Sequence, residues 1–371
     1  MPSQPTSLLI SPNLKTFFVE RLYGWSIHNP RPMPWKGIRD PYLIWLSEII
    51  LQQTRVEQGL PYFEKFKSAF PTVLDLAAAS DDEVMKLWEG LGYYSRARNL
   101  LAAARKIAFE LNGTFPTTAA GLLQLPGVGP YTAAAIASFA FDEPQAVLDG
   151  NVFRVLARFL GISEPIDAPK GKALFAGLAQ EMLDDRHPAR YNQALMDFGA
   201  LQCTPQNPNC NACPLSQHCS AFATKTVAQL PCKSKRIERT VRYFHYIVAS
   251  RNDGSMLLQK RTGKDIWEGL YQFPLAESEQ PEWEENAVRN SPAGKLLLPG
   301  AAWAATSKPF KQQLTHQTII ARFWKFQVSD DTVPAEASGY FHVSQEELKR
   351  YALPRIIDLY LQDQSLYLNL I

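Results

Sequence analysis

Residues 44–55 read Ile44-Trp45-Leu46-Ser47-Glu48-Ile49-Ile50-Leu51-Gln52-Gln53-Thr54-Arg55, and the fold is decided here. Before Gln52 nearly every residue is large and apolar, and a single carboxylate, Glu48, stands in the middle. At helical spacing Glu48 and Gln52 share a face and Gln53 follows one position round. A Glu inside an apolar helix is costly to bury in its ionised form. Burial raises its pKa, so such a group can hold a proton near neutral pH and deliver it. A Glu at the helix edge with its head in water is the alternative that this helix alone leaves open.

The surrounding chain sets the scale. Its 371 residues are too many for one ordinary domain, and 46% hydrophobic content is enough for real cores. The formal net charge is +2, so nucleic-acid binding would rest on local basic patches. No basic start, apolar run and small-residue cleavage site opens the chain, and no apolar stretch approaches ~18 residues. The expectation is a soluble, cytoplasmic protein without a membrane partner, nucleoid-associated if bacterial. Residues 1–12 read as a loose tail. Helical patterns separated by Pro, Gly or Asn then run near 14–28, 41–53, 57–68, 81–89, 95–111, 118–124, 130–140, 151–161, 171–184 and 189–201. This predicts an all-α domain over 13–221. A basic connector, 222–240, carries Lys225, Lys233, Lys235, Arg236 and Arg239, with Arg242 just beyond, and reads as a solvated linker. From Val241 the pattern turns strand-like: 241–249, then Asn252-Asp253-Gly254, then 255–261 is a hairpin signal. Residues 317–328 read as another strand and 344–362 as a closing helix. Residues 241–371 are therefore expected to form an α+β domain.

Four motifs carry chemistry. Cys203-x6-Cys210-x2-Cys213-x5-Cys219 places four of the five cysteines within one short loop. In a cytosolic chain that clustering argues for metal ligation over disulfides. Structural zinc and a [4Fe–4S] cluster are both open, and the 6-2-5 spacing with only one close pair suits the cluster better. Leu125-Pro126-Gly127-Val128-Gly129-Pro130-Tyr131 puts two glycines in a turn that opens a helix. Free N–H groups there suit a phosphate, while a plain helix connector explains the pattern as well. Val147-Leu148-Asp149-Gly150-Asn151-Val152 precedes another helix. Asp149 reads either as an N-cap or as a carboxylate kept ionised at a helix mouth, able to stabilise positive charge on a sugar carbon. Trp88-Glu89-Gly90-Leu91-Gly92-Tyr93-Tyr94-Ser95-Arg96-Ala97-Arg98 presents paired tyrosines followed by arginines, fit to wedge bases and hold phosphates, or to start a buried helix.

Taken in order, these motifs resemble the MutY-type adenine DNA glycosylases of the helix-hairpin-helix superfamily, which includes endonuclease III. The match runs from R-P-M-P-W (31–35) through all four motifs to the cysteines. The resemblance implies a helix-hairpin-helix domain with one [4Fe–4S] cluster, followed by a Nudix-like domain. It implies removal of adenine opposite 8-oxoguanine or guanine from double-stranded DNA, with a monomer as the default state. On this reading Glu48 protonates the flipped adenine, Asp149 stabilises the oxocarbenium-like sugar, and Asn151 orients Asp149 or the water. Gln53 and Tyr93 match positions that insert into the duplex, and Pro126, Gly127, Val128 and Gly129 form the hairpin that reads the DNA backbone. Arg31, Trp35 and Gln193 match positions lining the adenine pocket. Tyr131 stands where the bifunctional relatives carry a Schiff-base lysine, which implies hydrolysis without strand cleavage. W-E-G-L-Y-Q-F-P (267–274) is the clearest Nudix-like stretch. Residues 281–285 lack the Arg and the spacing of a hydrolase's acidic box, so pyrophosphatase activity is not expected. Leu314-Thr315-His316 stands where the family commonly has Phe-Ser-His against 8-oxoguanine; Thr315 keeps a hydroxyl. A bifunctional pyrimidine-lesion glycosylase/lyase is the competing enzyme class, and a non-catalytic iron–sulfur DNA-binding protein the competing non-enzyme.

Overall fold

A computed structural model describes residues 10–234, 239–329 and 339–363. Its contacts divide the chain into two compact units: Met1–Ala77 with Ala102–Lys235, and Ala78–Leu101 with Arg236–Ile371.

The helical part contains α1 (Pro12–His28), α2 (Pro41–Leu51), α3 (Val56–Ala69), α4 (Val73–Ala78), α5 (Asp81–Leu87), α6 (Ser95–Glu110), α7 (Ala119–Leu122), α8 (Pro130–Phe141), α9 (Gly150–Leu160), α10 (Pro169–Met182), α11 (Pro188–Leu201) and α12 (Ser220–Ala223). Local chemistry sets several starts. Asp40 accepts from Tyr42 N ahead of Pro41, and Ser80 and Glu83 close a capping box on α5. Helices α4, with Asp75 bonded back to Thr72, and α12 are the two the periodicity missed. At six and four residues they are too short for a 3.6-residue period to show.

Two packings position the site. Helix α2 lies on α8, whose run Ala133-Ala134-Ala135 with Ala137 lets the two backbones approach. Helix α9 buries Val152, Val155, Leu156 and Phe159, an i, i+3, i+4, i+7 stripe, against α11. Gly199 makes that contact possible, because a Cβ there would meet Asn151 Cβ at 2.6 Å.

The second unit holds an eight-stranded mixed sheet: β1 (Thr240–Ser250), β2 (Met256–Lys260), β3 (Tyr271–Gln272), β4 (Leu275–Ser278), β5 (Ala302–Thr306), β6 (Phe310–Gln313), β7 (Gln317–Gln327) and β8 (Tyr340–Val343). Three helices, α13 (Glu285–Asn290), α14 (Pro292–Leu297) and α15 (Arg355–Gln362), accompany it. Parallel pairing of β1 with β7 runs from Thr240↔Gln317 to Ser250↔Gln327 and forms its axis.

The expected β1–β2 hairpin forms, antiparallel at Ser250↔Met256 and closed by Arg251 N to Ser255 O at 2.9 Å, while the long partner of β1 is β7. Three expectations are corrected here. The closing helix is broken into a 3₁₀ turn, Glu347–Arg350, and α15, because Pro354 lacks an N–H and disfavours helix at Leu353. The described part of the connector is not a loose linker. Leu230 is buried, its carbonyl accepts from Arg158 Nε, and Ser234 bonds Asp167. Lys235 and Arg236 lie outside the described residues, as does most of the expected tail. Finally, residues 78–101 associate with the C-terminal unit: Asp82 with Lys260 and Tyr271, Glu89 with Leu353 N, and Arg98 with Glu268.

Candidate active site and cluster loop

Within the first unit a cavity of about 840 Å³ brings together seven of the residues singled out from the sequence. Glu48, Tyr131, Asp149, Asn151, Arg31, Trp35 and Gln193 all line it.

Glu48 is 7% exposed, on the face of α2 turned to α8. The Tyr131 hydroxyl donates to its Oε2 at 2.6 Å, and Oε1 accepts from no group among the described residues. Burial pushes the Glu48 pKa up to about 7; the tyrosine bond pulls it down and the charge of Asp149 pushes it up again. With the residue buried and turned toward α8, it is not a Glu at the outer helix edge. Tyr131 is itself held well above its ordinary pKa by burial and by Glu48 beside it, so it stays a neutral donor.

Asp149 is the N-cap that one reading expected, and it also faces the cavity, but its burial works against the ionised state that the other expected. It caps α9 through Val152 N to Oδ1 at 2.7 Å, and it faces the cavity. Asn151 Nδ2 donates to Oδ2 at 2.7 Å. The expected pull of the helix mouth toward ionisation is present but outweighed. Burial raises the Asp149 pKa, while the bonds from Val152 and Asn151 and the charge of Arg154 lower it.

The sequence reading missed three side chains here: Arg154 and Lys36, which line the cavity, and Asp197, which holds Lys36. Arg154 Nη2 donates to Asn151 Oδ1 at 2.9 Å and to Gly199 O at 2.6 Å, and its Nε reaches Cys203 O at 2.7 Å. It ties the Asp149–Asn151 pair to the first cysteine of the cluster loop. Asp197 accepts from Lys36 Nζ at 2.6 Å and lies 3.7 Å from Arg31. Burial pushes Lys36 below its usual pKa, against the pull of Asp197. Helical spacing could have found two of them: Arg154 is i+3 from Asn151 and Asp197 is i+4 from Gln193.

The four cysteines line one small cavity of about 30 Å³ with Arg158. The Arg158 guanidinium donates to Cys203 Sγ at 3.4 Å, to Thr204 O at 2.7 Å and to Pro205 O at 3.0 Å. An all-thiol donor set with a cation bonded to one sulfur fits an anionic iron–sulfur group. Cys232 remains apart, a free thiol bonded to Gln229 O.

Other residues lie outside the cavity. Gln53 follows α2 in the left-handed region, φ 56°, and is exposed. In the hairpin, Gly127 takes φ 74°, a conformation that suits glycine, and Gly129 opens α8 with clear space beside it. Pro126 is half-buried and Val128 is buried, so the Val128 side chain serves the core and only backbone is presented there.

In the second unit a pocket of about 450 Å³ is lined by Tyr93, Trp267, Arg98, Thr315 and His316 among others. Tyr93 stands at φ 49° and is 44% exposed. Its loop is held by Trp88 Nε1 and Arg96 Nη2, both donating to Gly92 O. The Tyr93 and Thr315 hydroxyls are 2.6 Å apart. Thr315 and exposed His316 sit at the tip of the β6–β7 hairpin, closed by Leu314 N to Gln317 O at 2.8 Å.

Known proteins share this arrangement. Residues 46–179 match the model of HhH-GPD superfamily base excision DNA repair proteins. Residues 203–219 match the iron–sulfur binding domain of endonuclease III, and 245–363 match a NUDIX domain. The adenine DNA glycosylase of Buchnera aphidicola subsp. Baizongia pistaciae is 34% identical over 81% of this chain and 84% of its own. The adenine DNA glycosylase of Homo sapiens is 45% identical over 84% of this chain and 57% of its own. Among solved structures, a thermostable thymine-DNA glycosylase aligns with TM-score 0.53 and 30% identity, over 57% of this chain and 97% of that one. An endonuclease III–DNA covalent intermediate aligns at 0.50 and 22% over 57% and 98%, a likeness of fold. With most of both chains aligned at 34% identity, and an iron–sulfur motif and a Nudix-like domain in the same order, this chain belongs to the adenine DNA glycosylase family, hydrolases of N-glycosyl bonds in DNA.

Proposed function

We propose that this enzyme flips adenine out of a mispair with 8-oxoguanine or guanine in duplex DNA and hydrolyses its N-glycosyl bond without cutting the strand. The carrying observation is the pair of carboxylates on one cavity, Glu48 buried, pushed up to about 7 and bonded to Tyr131, and Asp149 half-buried. Glu48, protonated near neutral pH, gives its proton to the extruded base and makes it a leaving group. Asp149, fixed by Val152 N and Asn151, stabilises the positive sugar carbon as the bond breaks, in the manner of a retaining glycosidase carboxylate. Asn151, itself held by Arg154, sets the Asp149 oxygen that faces the sugar. Arg31, Trp35 and Gln193 hold the adenine.

Two features support hydrolysis over lyase chemistry. The Tyr131 hydroxyl is engaged on Glu48, and Lys36, the lysine that lines the cavity, is tied to Asp197 and Arg31 O. Gln53 and Tyr93, both in left-handed backbone, are the side chains offered to the duplex, with the 126–129 turn against the phosphate backbone and Thr315 and His316 against 8-oxoguanine. The cluster is a [4Fe–4S] group held by Cys203, Cys210, Cys213 and Cys219. The 6-2-5 cysteine spacing and the match of residues 203–219 to the iron–sulfur binding domain of endonuclease III support this. When bound it cross-links the 203–219 loop. The working state is a monomer.

Single-turnover base release tests the reading, using wild type and Glu48→Gln on duplexes with adenine opposite 8-oxoguanine, adenine opposite guanine, and thymine glycol opposite adenine. Adenine release that prefers 8-oxoguanine and is lost in the variant is the expected result. Cleavage at thymine glycol with efficient borohydride trapping would hand the case to a bifunctional lyase.

A further inference from the structure

The sheet of the second unit carries a second cavity, of about 480 Å³, with no part in the chemistry above. It lies at the far end of β1 and β7. On β7 the residues facing one side of the sheet alternate as Ile319, Ala321 and Phe323, all buried, and the series then continues with Lys325 and Gln327. On β1 the parallel register sets Val248 beside Lys325 and Ser250 beside Gln327. The aromatic core stops where the polar series starts: Phe323 stacks on Tyr360 of α15 at 3.9 Å and 7°, and both rings line the cavity.

Lys325 breaks the pattern of its strand. It lies mid-sheet between Val248 of β1 and Ala305 of β5, so its stem is covered, and the side chain is only partly exposed. No acceptor reaches its ammonium among the described residues, and burial alone pushes its pKa down. Arg251 joins it on the wall, with amides from Asn252, Gln327 and Gln345. Among the described residues no carboxylate lines the cavity. Asp253, next to Asn252 of the wall, accepts from Ser255 N at 2.8 Å. A half-buried cation without a counter-ion costs free energy that a bound anion would recover.

We propose that this cavity is a binding site for a small phosphate monoester with an apolar, planar body. The phosphate meets Lys325 and Arg251, and the body lies against Val248 and the Phe323–Tyr360 pair. The volume is in the range of ligand pockets, where apolar walls supply area and a few polar groups fix orientation. Free organic phosphates and inorganic phosphate share the charged head, and only the first uses the walls.

Titration calorimetry on the full-length protein at fixed salt tests this with uridine 5′-monophosphate, uridine and inorganic phosphate. A pyrimidine avoids the expected adenine pocket. The nucleotide should bind in the micromolar to millimolar range, with uridine silent and inorganic phosphate at least about fivefold weaker. Lys325→Gln should weaken the nucleotide about tenfold or more, Lys325→Arg should restore it, and adenine release should not change in either. If Lys325→Gln does not fold, Arg251→Gln serves in its place with the same expected loss. No nucleotide binding at 5 mM (about the weakest affinity calorimetry resolves), equal binding by the Gln variant, or equal affinity for bare phosphate would each overturn the proposal.

Discussion

The two cavities that the sequence motifs populate are built in opposite ways. In the first unit, Glu48 is buried on α2 and Asp149 half-buried at the start of α9, and burial raises the pKa of each. In the second, Tyr93 and His316 stand exposed, on a left-handed loop and a hairpin tip, and meet through a single hydroxyl contact at Thr315. Proton transfer needs a group whose ionisation is set in advance, and burial is what sets it. Reading a base in a duplex needs polar groups that water already solvates and DNA can replace. Loss of one cavity's residues should therefore abolish chemistry, and loss of the other's should cost discrimination.

The largest expected effect is Glu48→Gln, which should lower single-turnover adenine release by at least ~10³-fold, since it removes the general acid. The same change should stabilise the fold. A carboxyl raised from 4.5 to about 7 binds its proton more tightly folded than unfolded, so stability is lost as pH rises between those values. Above pH 7 the penalty is on the order of 3 kcal/mol, and Glu48→Gln should unfold at higher temperature than wild type at pH 8 but not at pH 4. A variant less stable at pH 8 would show that Glu48 is not buried as described.

Arg154→Met comes next. It leaves Asn151 Oδ1 and Gly199 O without their shared donor, and base release should fall by roughly 10²-fold with loosening of the cysteine loop, read as faster loss of iron to a chelator. Unchanged iron retention would separate the two sites that this arginine joins.

Tyr131→Phe sharpens the picture of Glu48. The alkaline limb of the rate profile reports loss of the Glu48 proton, and the Tyr131 bond holds that pKa down. Removing the hydroxyl should move the limb to higher pH, so activity at pH 8 relative to pH 6.5 rises. A shift to lower pH would break the assignment of Glu48 as the acid.

Thr315→Ala in the second unit should leave release of adenine opposite guanine within about twofold and reduce the preference for 8-oxoguanine by roughly fivefold, the worth of one hydrogen bond. The smallest effect is expected at the surface pair Lys260–Asp82. Its disruption should cost no more than ~1 kcal/mol, and less in high salt, by thermal unfolding.

The sequence was most informative where a local rule sufficed. Periodicity, caps and Pro or Gly breaks located the long helices, and the four cysteines announced their loop by spacing alone. Asp149 was legible as a cap and as a carboxylate because the N-cap position depends only on its own turn. Tertiary structure decided what depends on distant neighbours. Glu48 is buried because α8 packs on α2, bringing Tyr131 to it from 83 residues away in sequence, and that burial raises its pKa. Arg154 and Asp197 escaped notice because an Arg or Asp on a helix is usually solvated, and only the close approach at Gly199 and the position of Lys36 give them partners. The β1–β7 pairing was equally hidden. Strand propensity names strands but not their partners, and a parallel neighbour nearly eighty residues on leaves no local trace. Composition and spacing fix which groups are present and how the nearest turns run; burial, which sets their pKa values, is a property of the whole packed chain.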